Sequence, residues 1–432
     1  MLNMNIPEFV VFIYKRFEEA GYQVYLVGGA VRDTCLQRQI TDWDMVTSAS
    51  PEEIKTMCSD IRLFSLKHDT VTLVDSGRHF EITTFRESAK SLEEDLTFRD
   101  FTINAMAYDL GKSRILDPCG GKADIRRRLV RAVENPRKRF QEDPLRLLRA
   151  VRIATELGFK IETETLNTLT SMASRLRSAT PERIRVELMK LLSSSKPSNG
   201  FNLMVRTGLL KYFLPELLEG YRKKQNACHR HTIFKHIMET MDQVQPDPVL
   251  RLTALFHDIG KPRVREKFQG KWRFLGHEAV SAALSQKIMN RLRFSRDTIL
   301  KVSNLVRHHM IGYNSKCSDS AVRRLIRRVG TEDIMDLLTF RRADLMAHPA
   351  ENHELDLLNE LKTRIKHEIE DHVVTKTQDL AIDGFQVMEI LGISQGKKVG
   401  EILEDLIEQV LDNPELNTKT QLSAILDKIK VS

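Results

Sequence analysis

Asp42-Trp43-Asp44 sets two carboxylates two residues apart, and on a strand such residues project from one face, where both can bind divalent cations. Phosphoryl transfer uses that arrangement, because two ions about 3.5–4 Å apart lower the pKa of an attacking hydroxyl and neutralise a leaving pyrophosphate. An Asp-x-Asp alone is most often a solvated loop, but its surroundings argue for more. Upstream, Val24-Tyr25-Leu26-Val27 runs through Gly28-Gly29 into Ala30-Val31-Arg32-Asp33. That reads as a buried strand, a glycine pair that lets backbone approach phosphate, and a helix start with free N–H donors. Glu81, in the strand-like Phe80–Phe85, is a candidate third carboxylate; an outward charge on an edge strand is the equal alternative.

A second constellation lies further on. His229, His231 and His236 are followed by His257-Asp258-Ile259-Gly260-Lys261-Pro262, Gly276-His277-Glu278, His308-His309 and Asp344. Imidazole and carboxylate together suit transition metals such as Mn²⁺, Fe²⁺, Co²⁺ or Ni²⁺. Thirteen histidines scattered by chance would rarely fall in this order.

The elements that must position these residues divide the chain. Its 432 residues exceed what one core serves, so two or more modules are expected. Up to about Asp117, strand-like Val24–Val27, Thr70–Val74 and Phe80–Phe85 alternate with helical pieces, which reads as α/β. Beyond it, Leu145–Leu157, Glu182–Leu192, Val249–His257, Ala279–Leu292 and Val399–Val410 are leucine-rich and amphipathic, and the remainder reads as all-helical. Ser193–Gly200 and Glu219–Asn226 are the better internal boundaries. The formal charge of +8 combines 67 Lys+Arg with 59 Asp+Glu, which permits a polyanionic partner without requiring one. No apolar run reaches the roughly 20 residues of a membrane span. Five cysteines, odd in number, far apart and without a CxxC pair, point away from disulfides and thiolate zinc and fit a reduced cytoplasm.

The order Gly28-Gly29-Ala30-Val31-Arg32-Asp33, Asp42-Trp43-Asp44 and Arg99-Asp100-Phe101-Thr102-Ile103-Asn104-Ala105 closely resembles the class II tRNA nucleotidyltransferases and related bacterial poly(A) polymerases. Leu116-Asp117-Pro118-Cys119-Gly120-Gly121, Glu142-Asp143-Pro144-Leu145-Arg146 and Glu182-Arg183-Ile184-Arg185-Val186-Glu187 continue the resemblance. It implies a nucleotidyltransferase head of the polymerase β type over 1–120, a helical neck over 121–200, a helical body with an HD domain over 201–350 and a tRNA-binding helical tail over 351–432. It also implies Mg²⁺-dependent transfer of NMP from NTP to an RNA 3′-hydroxyl. By that resemblance Asp42 and Asp44 hold Mg²⁺ with Glu81 beside them, and Gly28, Gly29, Arg32, Asn104 and Arg149 meet the nucleotide. Arg99 and Asp100 lie beside the ribose, and Glu142, Asp143 and Arg146 form the protein template. Cytosine offers an amino donor and two acceptors, so a carboxylate beside a guanidinium can read its pairing edge, and on one helix Asp143 and Arg146 would share a face. The later cluster resembles the HD phosphohydrolases, whose ligands map to His236, His257, Asp258, His277, His308 or His309, and Asp344. A relic that keeps these histidines for packing is the alternative.

Two departures stand out. The family usually has two arginines before Asp-Phe-Thr, where this chain has Phe98-Arg99, and Lys67-His68-Asp69-Thr70 carries aspartate where relatives usually have glycine. A third feature bears on specificity. Relatives that build the whole CCA end usually carry a long loop before the segment matching Ser91–Leu96, and here only Arg86-Glu87-Ser88-Ala89-Lys90 joins it to Phe80–Phe85. The expectation is therefore addition of two cytidines from CTP to tRNA, with a separate A-adding enzyme completing the end. Full CCA addition with CTP and ATP is the main rival. Poly(A) polymerase, an HD phosphohydrolase with an inactive head, and an RNA-binding protein with neither activity are further competitors.

Overall fold

The computed structural model describes residues 6–40, 42–65, 70–86, 89, 91–225, 231–347, 352–371 and 373–431. Lys67, His68, Asp69, His229, and Glu87, Ser88 and Lys90 of the short connection lie outside the described residues. The chain forms two compact units, Met1–Phe213 and Leu214–Ser432.

In the first unit, helix α1 (Glu8–Glu19) precedes strand β1 (Val24–Val27), helix α2 (Gly29–Cys35), strand β2 (Trp43–Thr47) and helix α3 (Pro51–Met57). Strands β3 (Leu63–Ser65), β4 (Thr70–Asp75) and β5 (Arg78–Thr84) follow, then α4 (Leu92–Thr97), β6 (Ala107–Asp109) and β7 (Arg114–Leu116). These strands make one mixed sheet of order β3-β4-β5-β2-β1-β6-β7, in which β2 and β5 are parallel. Strand β2 is central, so Trp43, Met45, Val46 and Thr47 are all buried, and Asp44 is the polar exception within it. Helices start where side chains supply caps: Ser50 and Glu53 form a reciprocal capping box at α3, and Ser91 caps α4. Phe101 and Ile103, fully buried after α4, each contribute about 2–3 kcal/mol by leaving water, and they anchor the turn that carries Asp100 and Asn104.

Helices α5 (Gly121–Arg127), α6 (Pro136–Glu142), α7 (Leu145–Leu157), α8 (Thr163–Met172), α9 (Pro181–Leu192), α10 (Ser198–Thr207) and α11 (Leu210–Phe213) complete this unit, with a short parallel pair β8 (Leu129–Val130) and β9 (Lys160–Ile161). Gly121 needs its hydrogen: a Cβ there would stand 2.3 Å from the Thr102 carbonyl and 2.9 Å from the Met106 side chain. Helix α7 ends at Gly158, which takes a left-handed conformation at the cap.

Among its described residues the second unit is helical apart from one ribbon. Helices α12 (Ile233–Gln243) and α13 (Pro248–Phe256) lead to strands β10 (Glu266–Phe268) and β11 (Lys271–Arg273). Then come α14 (His277–Arg291), α15 (Arg296–His308), α16 (Asp319–Val329), α17 (Ile334–Met346), α18 (Asn352–Glu370), α19 (Gly384–Leu391), α20 (Lys397–Asp412) and α21 (Lys419–Val431). Thr232, Asp247, Ser295 and Ser318 cap α12, α13, α15 and α16. Helix α13 is buried all round from Leu250 to Phe256, so it forms the centre of this unit and fixes where the following His257-Asp258 must lie. Val387, Leu406, Leu411, Leu422 and Leu426 close a separate core among the last helices. Among the described residues no helix is long and apolar enough to cross a membrane.

Candidate active site

The edge of β1 and β2 opens into a cleft of about 590 Å³ lined by Gly28, Gly29, Arg32, Asp42, Asp44, Arg99, Asp100, Asn104 and Arg149. Gly28 turns the chain from β1 into α2 at φ 73, and a Cβ there would meet Arg99 Nη1 at 3.3 Å and Asp44 Oδ2 at 3.5 Å. Glycine therefore permits both the turn and the close approach of Asp44. Asp42 is exposed just before β2, and Asp44 lies within it. Glu81 is exposed on β5 directly beside Asp44 in the parallel register. Burial, then the Glu81 charge, pushes the Asp44 carboxyl up to about 6, with Arg99 opposing. A carboxylate crowded by like charge is suited to a divalent cation, so the donor set fits Mg²⁺.

A continuous polar chain floors the cleft. Arg32 is paired with Asp33 and donates to Asn104 Oδ1 at 2.8 Å; Asn104 donates to Asp100 at 3.1 Å; Arg149 donates to Asp100 at 3.2 Å and to Glu187 at 3.0 Å. Arg152 reaches the other Glu187 oxygen at 2.6 Å. Burial alone would raise the Asp100 carboxyl, but Arg149 and the Asn104 hydrogen bond hold it below the usual carboxylate value. Asp100 is thus an anion fixed in place. Glu187, Arg152 and Lys190 were given no role from sequence, although Glu187 closes the quoted Glu182–Glu187 motif; all three line the cleft.

Glu142, Asp143 and Arg146 are not among the residues lining this cleft. The expectation that Asp143 and Arg146 share one helix face is not met. The chain breaks at Asp143 (φ −142, ψ 101), and Pro144 opens α7. Asp143 instead receives both Nη atoms of Arg183, at 3.0 and 2.7 Å, while Arg146 donates to Glu142 at 2.8 Å and to the Phe98 carbonyl at 3.0 Å. Arg139 also donates to Glu142, at 2.8 Å. Phe98, where an arginine was expected, has the guanidinium groups of Arg86 and Arg139 5.9 and 5.8 Å from its ring centroid.

In the second unit, His236, His257 and Asp344 present ligand atoms to one another, as do Asp258, His277 and His309. All six are buried. His257, His277 and His309 each place Nδ1 at 2.7–2.8 Å from a backbone carbonyl, of Ala254, Phe274 and Val306 respectively. A carbonyl can only accept, so each Nδ1 carries a proton and each Nε2 points into the cluster, where it can serve as the metal-ligating nitrogen. Asp258 lies between the groups, with Oδ2 3.4 Å from His236 Nε2 and Oδ1 3.4 Å from His277 Nε2. Neither oxygen of Asp258 receives a hydrogen bond of good geometry, although Lys261 Nζ stands 2.6 Å from Oδ2. Buried anionic oxygens facing imidazole Nε2 atoms are a donor set that fits a cation between them. Burial and the neighbouring His257 push His309 down to about 3, consistent with a neutral imidazole. Of the two candidates His308 and His309, His309 joins the cluster and His308 does not: α15 ends at His308, which is only half-buried, and His309 turns inward at the cap. His231 is buried against Glu239 and belongs to neither group.

A model of the poly A polymerase head domain matches residues 24–131, one of a probable RNA and SrmB-binding site of polymerase A matches 158–220, and one of the HD domain matches 232–358. The CCA-adding enzyme of Limosilactobacillus reuteri is 31% identical over 441 residues, covering 96% of this chain and 95% of that one. This chain belongs to the class II tRNA nucleotidyltransferase family. The A-adding tRNA nucleotidyltransferase of Deinococcus radiodurans is 33% identical over 405 residues, 89% of this chain and 90% of that one. The chain spans about half the length of the curated relatives it matches at 42% identity, 54% and 56% of them. Among solved members of the family, the Bacillus stearothermophilus CCA-adding enzyme in complex with CTP superposes with a TM-score of 0.76 at 27% identity, covering 98% of this chain and 97% of that one. The mixed-sheet head and the helical HD-containing part are thus those of class II tRNA nucleotidyltransferases.

Proposed function

We propose that this chain is a cytoplasmic enzyme that adds CMP from CTP to the tRNA 3′ end and stops after two cytidines, with a separate enzyme adding the adenosine. The observation that carries the transferase reading is the Asp42, Asp44 and Glu81 carboxylate group set against the Gly28 turn at the mouth of the Arg32–Asn104–Asp100–Arg149 chain. In the reaction the tRNA 3′ oxygen bonds to the α-phosphorus of CTP as the bond from that phosphorus to pyrophosphate breaks. Two Mg²⁺ ions held by Asp42 and Asp44 would lower the pKa of the hydroxyl and neutralise the leaving pyrophosphate. Arg32, Arg99 and Lys190 place positive charge along the cleft for the triphosphate, while the fixed Asp100 anion and Asn104 accept and donate to ribose hydroxyls. Arg146, Glu142 and Asp143 read the base edge, with Arg183 and Phe98 holding them.

The stop after two cytidines rests on the five residues Arg86–Lys90, too short a span to act as a lever on the base-reading residues. The division into head (1–120), neck (121–200), body (201–350) and tail (351–432) belongs to the same reading, with tRNA on the tail. The deciding experiment supplies tRNA lacking its 3′ terminus with each labelled NTP alone and then with all. CTP alone should extend it by two residues, and ATP should add nothing with or without CTP. Incorporation of ATP after CTP would instead establish full CCA addition.

A second activity has its own observation. The pinned tautomers of His257, His277 and His309 around Asp258 favour an HD phosphohydrolase acting on phosphomonoesters or 2′,3′-cyclic nucleotides with Ni²⁺, Co²⁺ or Mn²⁺. His236, His257, Asp258, His277, His309 and Asp344 would hold the metal, which polarises phosphate and activates water when bound.

A further inference from the structure

Strands β10 and β11 interrupt the helical second unit between the ligands Asp258 and His277. Their register pairs Glu266 with Arg273, Lys267 with Trp272 and Phe268 with Lys271. Phe268, Lys271 and Arg273 therefore share one face of the ribbon, and Lys267 and Trp272 the other. Residues 266–271 are all exposed. A two-stranded ribbon wet on both sides closes no core and is marginal on its own.

What it does carry is an ordered array of rings and cations. The Arg265 guanidinium lies 3.4 Å from the Trp272 ring centroid, and that of Arg273 lies 3.6 Å from Phe268. Each stack holds a flat cation against a ring and restricts both side chains. Glu266 is the sole carboxylate from 265 to 273, and among the described residues Arg265, Lys267, Lys271 and Arg273 make no ion pair. Arg265 Nη2 also donates to the Lys224 carbonyl at 3.0 Å, which joins the segment Arg222-Lys223-Lys224 to the base of the ribbon. There Arg222 stands 5.3 Å from the exposed Tyr221 ring, repeating the pattern.

The ribbon also ends at the His–Asp cluster. The Phe274 carbonyl fixes the His277 tautomer at 2.7 Å, and Lys261, ion-paired with Asp258, lies 5.5 Å from the Phe274 ring. Cations spaced among rings, of which Phe268 and Tyr221 are exposed and Trp272 half-buried, match a single strand, whose phosphates take the charges and whose unpaired bases stack on rings; a duplex hides its base faces. We propose that 265–273, with Arg222–Lys224, binds single-stranded RNA and leads a strand end to the His–Asp centre. That centre thereby acts on RNA ends in preference to free nucleotides. The second half of this proposal rests on the phosphohydrolase reading above.

The test uses the full chain and a labelled ten-nucleotide oligocytidylate, followed by fluorescence anisotropy across a salt series. The variant Lys267→Gln/Lys271→Gln/Arg273→Gln should raise Kd at least tenfold and flatten the salt slope by about two, at about 0.7 per phosphate contact on a single strand. Trp272→Ala should raise Kd about five- to tenfold at an unchanged slope, as loss of a stacked base does. Unchanged Kd in both variants overturns the proposal, as does an equal loss of affinity for duplex RNA, which would reduce the ribbon to a charge patch. An unaltered thermal midpoint in both variants excludes unfolding. Hydrolysis with Ni²⁺ then separates the two readings. Slower cleavage of a terminal cyclic phosphate on the oligonucleotide, with a cyclic mononucleotide unaffected, supports delivery; equal slowing of both overturns it. No hydrolysis of either by the unmodified chain sinks the phosphohydrolase reading and leaves the binding result standing.

Discussion

Arg146 donates to the main-chain carbonyl of Phe98 at 3.0 Å while its other Nη reaches Glu142 at 2.8 Å. The guanidinium is clamped between the end of α4 and the end of α6, so its remaining N–H donors keep a fixed direction. Arg146→Lys has one charge but no planar fork. It should lower kcat/KM for CTP about 10- to 100-fold and narrow the CTP over UTP preference, with little change in the Mg²⁺ requirement. Steady-state kinetics with each nucleotide checks this, and an unaltered preference would refute a base-reading role.

On the proposed reading Asp42 and Asp44 serve the reaction and not the packing, since one is exposed and the other faces the cleft. Asp42→Ala or Asp44→Ala should cut nucleotide addition by about 10³-fold or more, roughly 4 kcal/mol of barrier, with tRNA affinity and unfolding temperature nearly kept. Near-normal incorporation by both variants would remove the assignment.

The two histidines at the end of α15 give a sharp contrast. His309→Ala should abolish Ni²⁺-dependent hydrolysis and reduce bound metal, and His308→Ala should do neither. His257→Ala and Asp258→Ala should behave as His309→Ala does, while CMP addition continues in all four. Turnover that survives His309→Ala, or no turnover with Ni²⁺, Co²⁺ or Mn²⁺ in the unmodified protein, would favour retention of these residues for packing.

Arg86, the first residue of the short connection, is already tied down: its amide donates to Asp95 Oδ1 at 3.2 Å and its Nη1 to the Asp95 carbonyl at 2.9 Å. Asp95 is on α4, which ends next to Phe98. Grafting a full-length relative's loop between Arg86 and Ser91 should confer AMP addition onto tRNA ending in CC, read on a sequencing gel. Efficient conversion of that tRNA to CCA by the unmodified chain would defeat the expectation.

How much was legible in the sequence depends on the range of the interaction. Val24–Val27 and Leu145–Leu157 have the bounds that their local periodicity suggested. The neighbour relation of Asp44 and Glu81 was not readable, because it depends on β2 and β5 pairing in parallel across intervening strands. His308 and His309 were not separable from sequence because the choice turns on the last residue of a helix, where a shift of one reverses which side chain faces the core. The ribbon at 266–273 was absorbed into an all-helical reading since its few aromatic residues are diluted by charge. Its signal was the Gln269-Gly270 pair, with φ 46 and 79, a turn of the hairpin type. Asp143 was placed on a helix that Pro144 in fact restarts, and its partner Arg183 lies 40 residues away.

Gly121 has a genetic consequence. It is not among the residues lining the cleft, yet any side chain there would press on the Thr102 carbonyl, two residues from Asn104 and the polar chain that ends at Glu187. Such crowding costs about 1–3 kcal/mol when the neighbours cannot move. Gly121→Ala should therefore behave as a temperature-sensitive allele, with every residue of the cleft intact and growth failing only as warming removes the remaining margin, which a shift from 25 to about 37 °C would reveal in a strain relying on this chain.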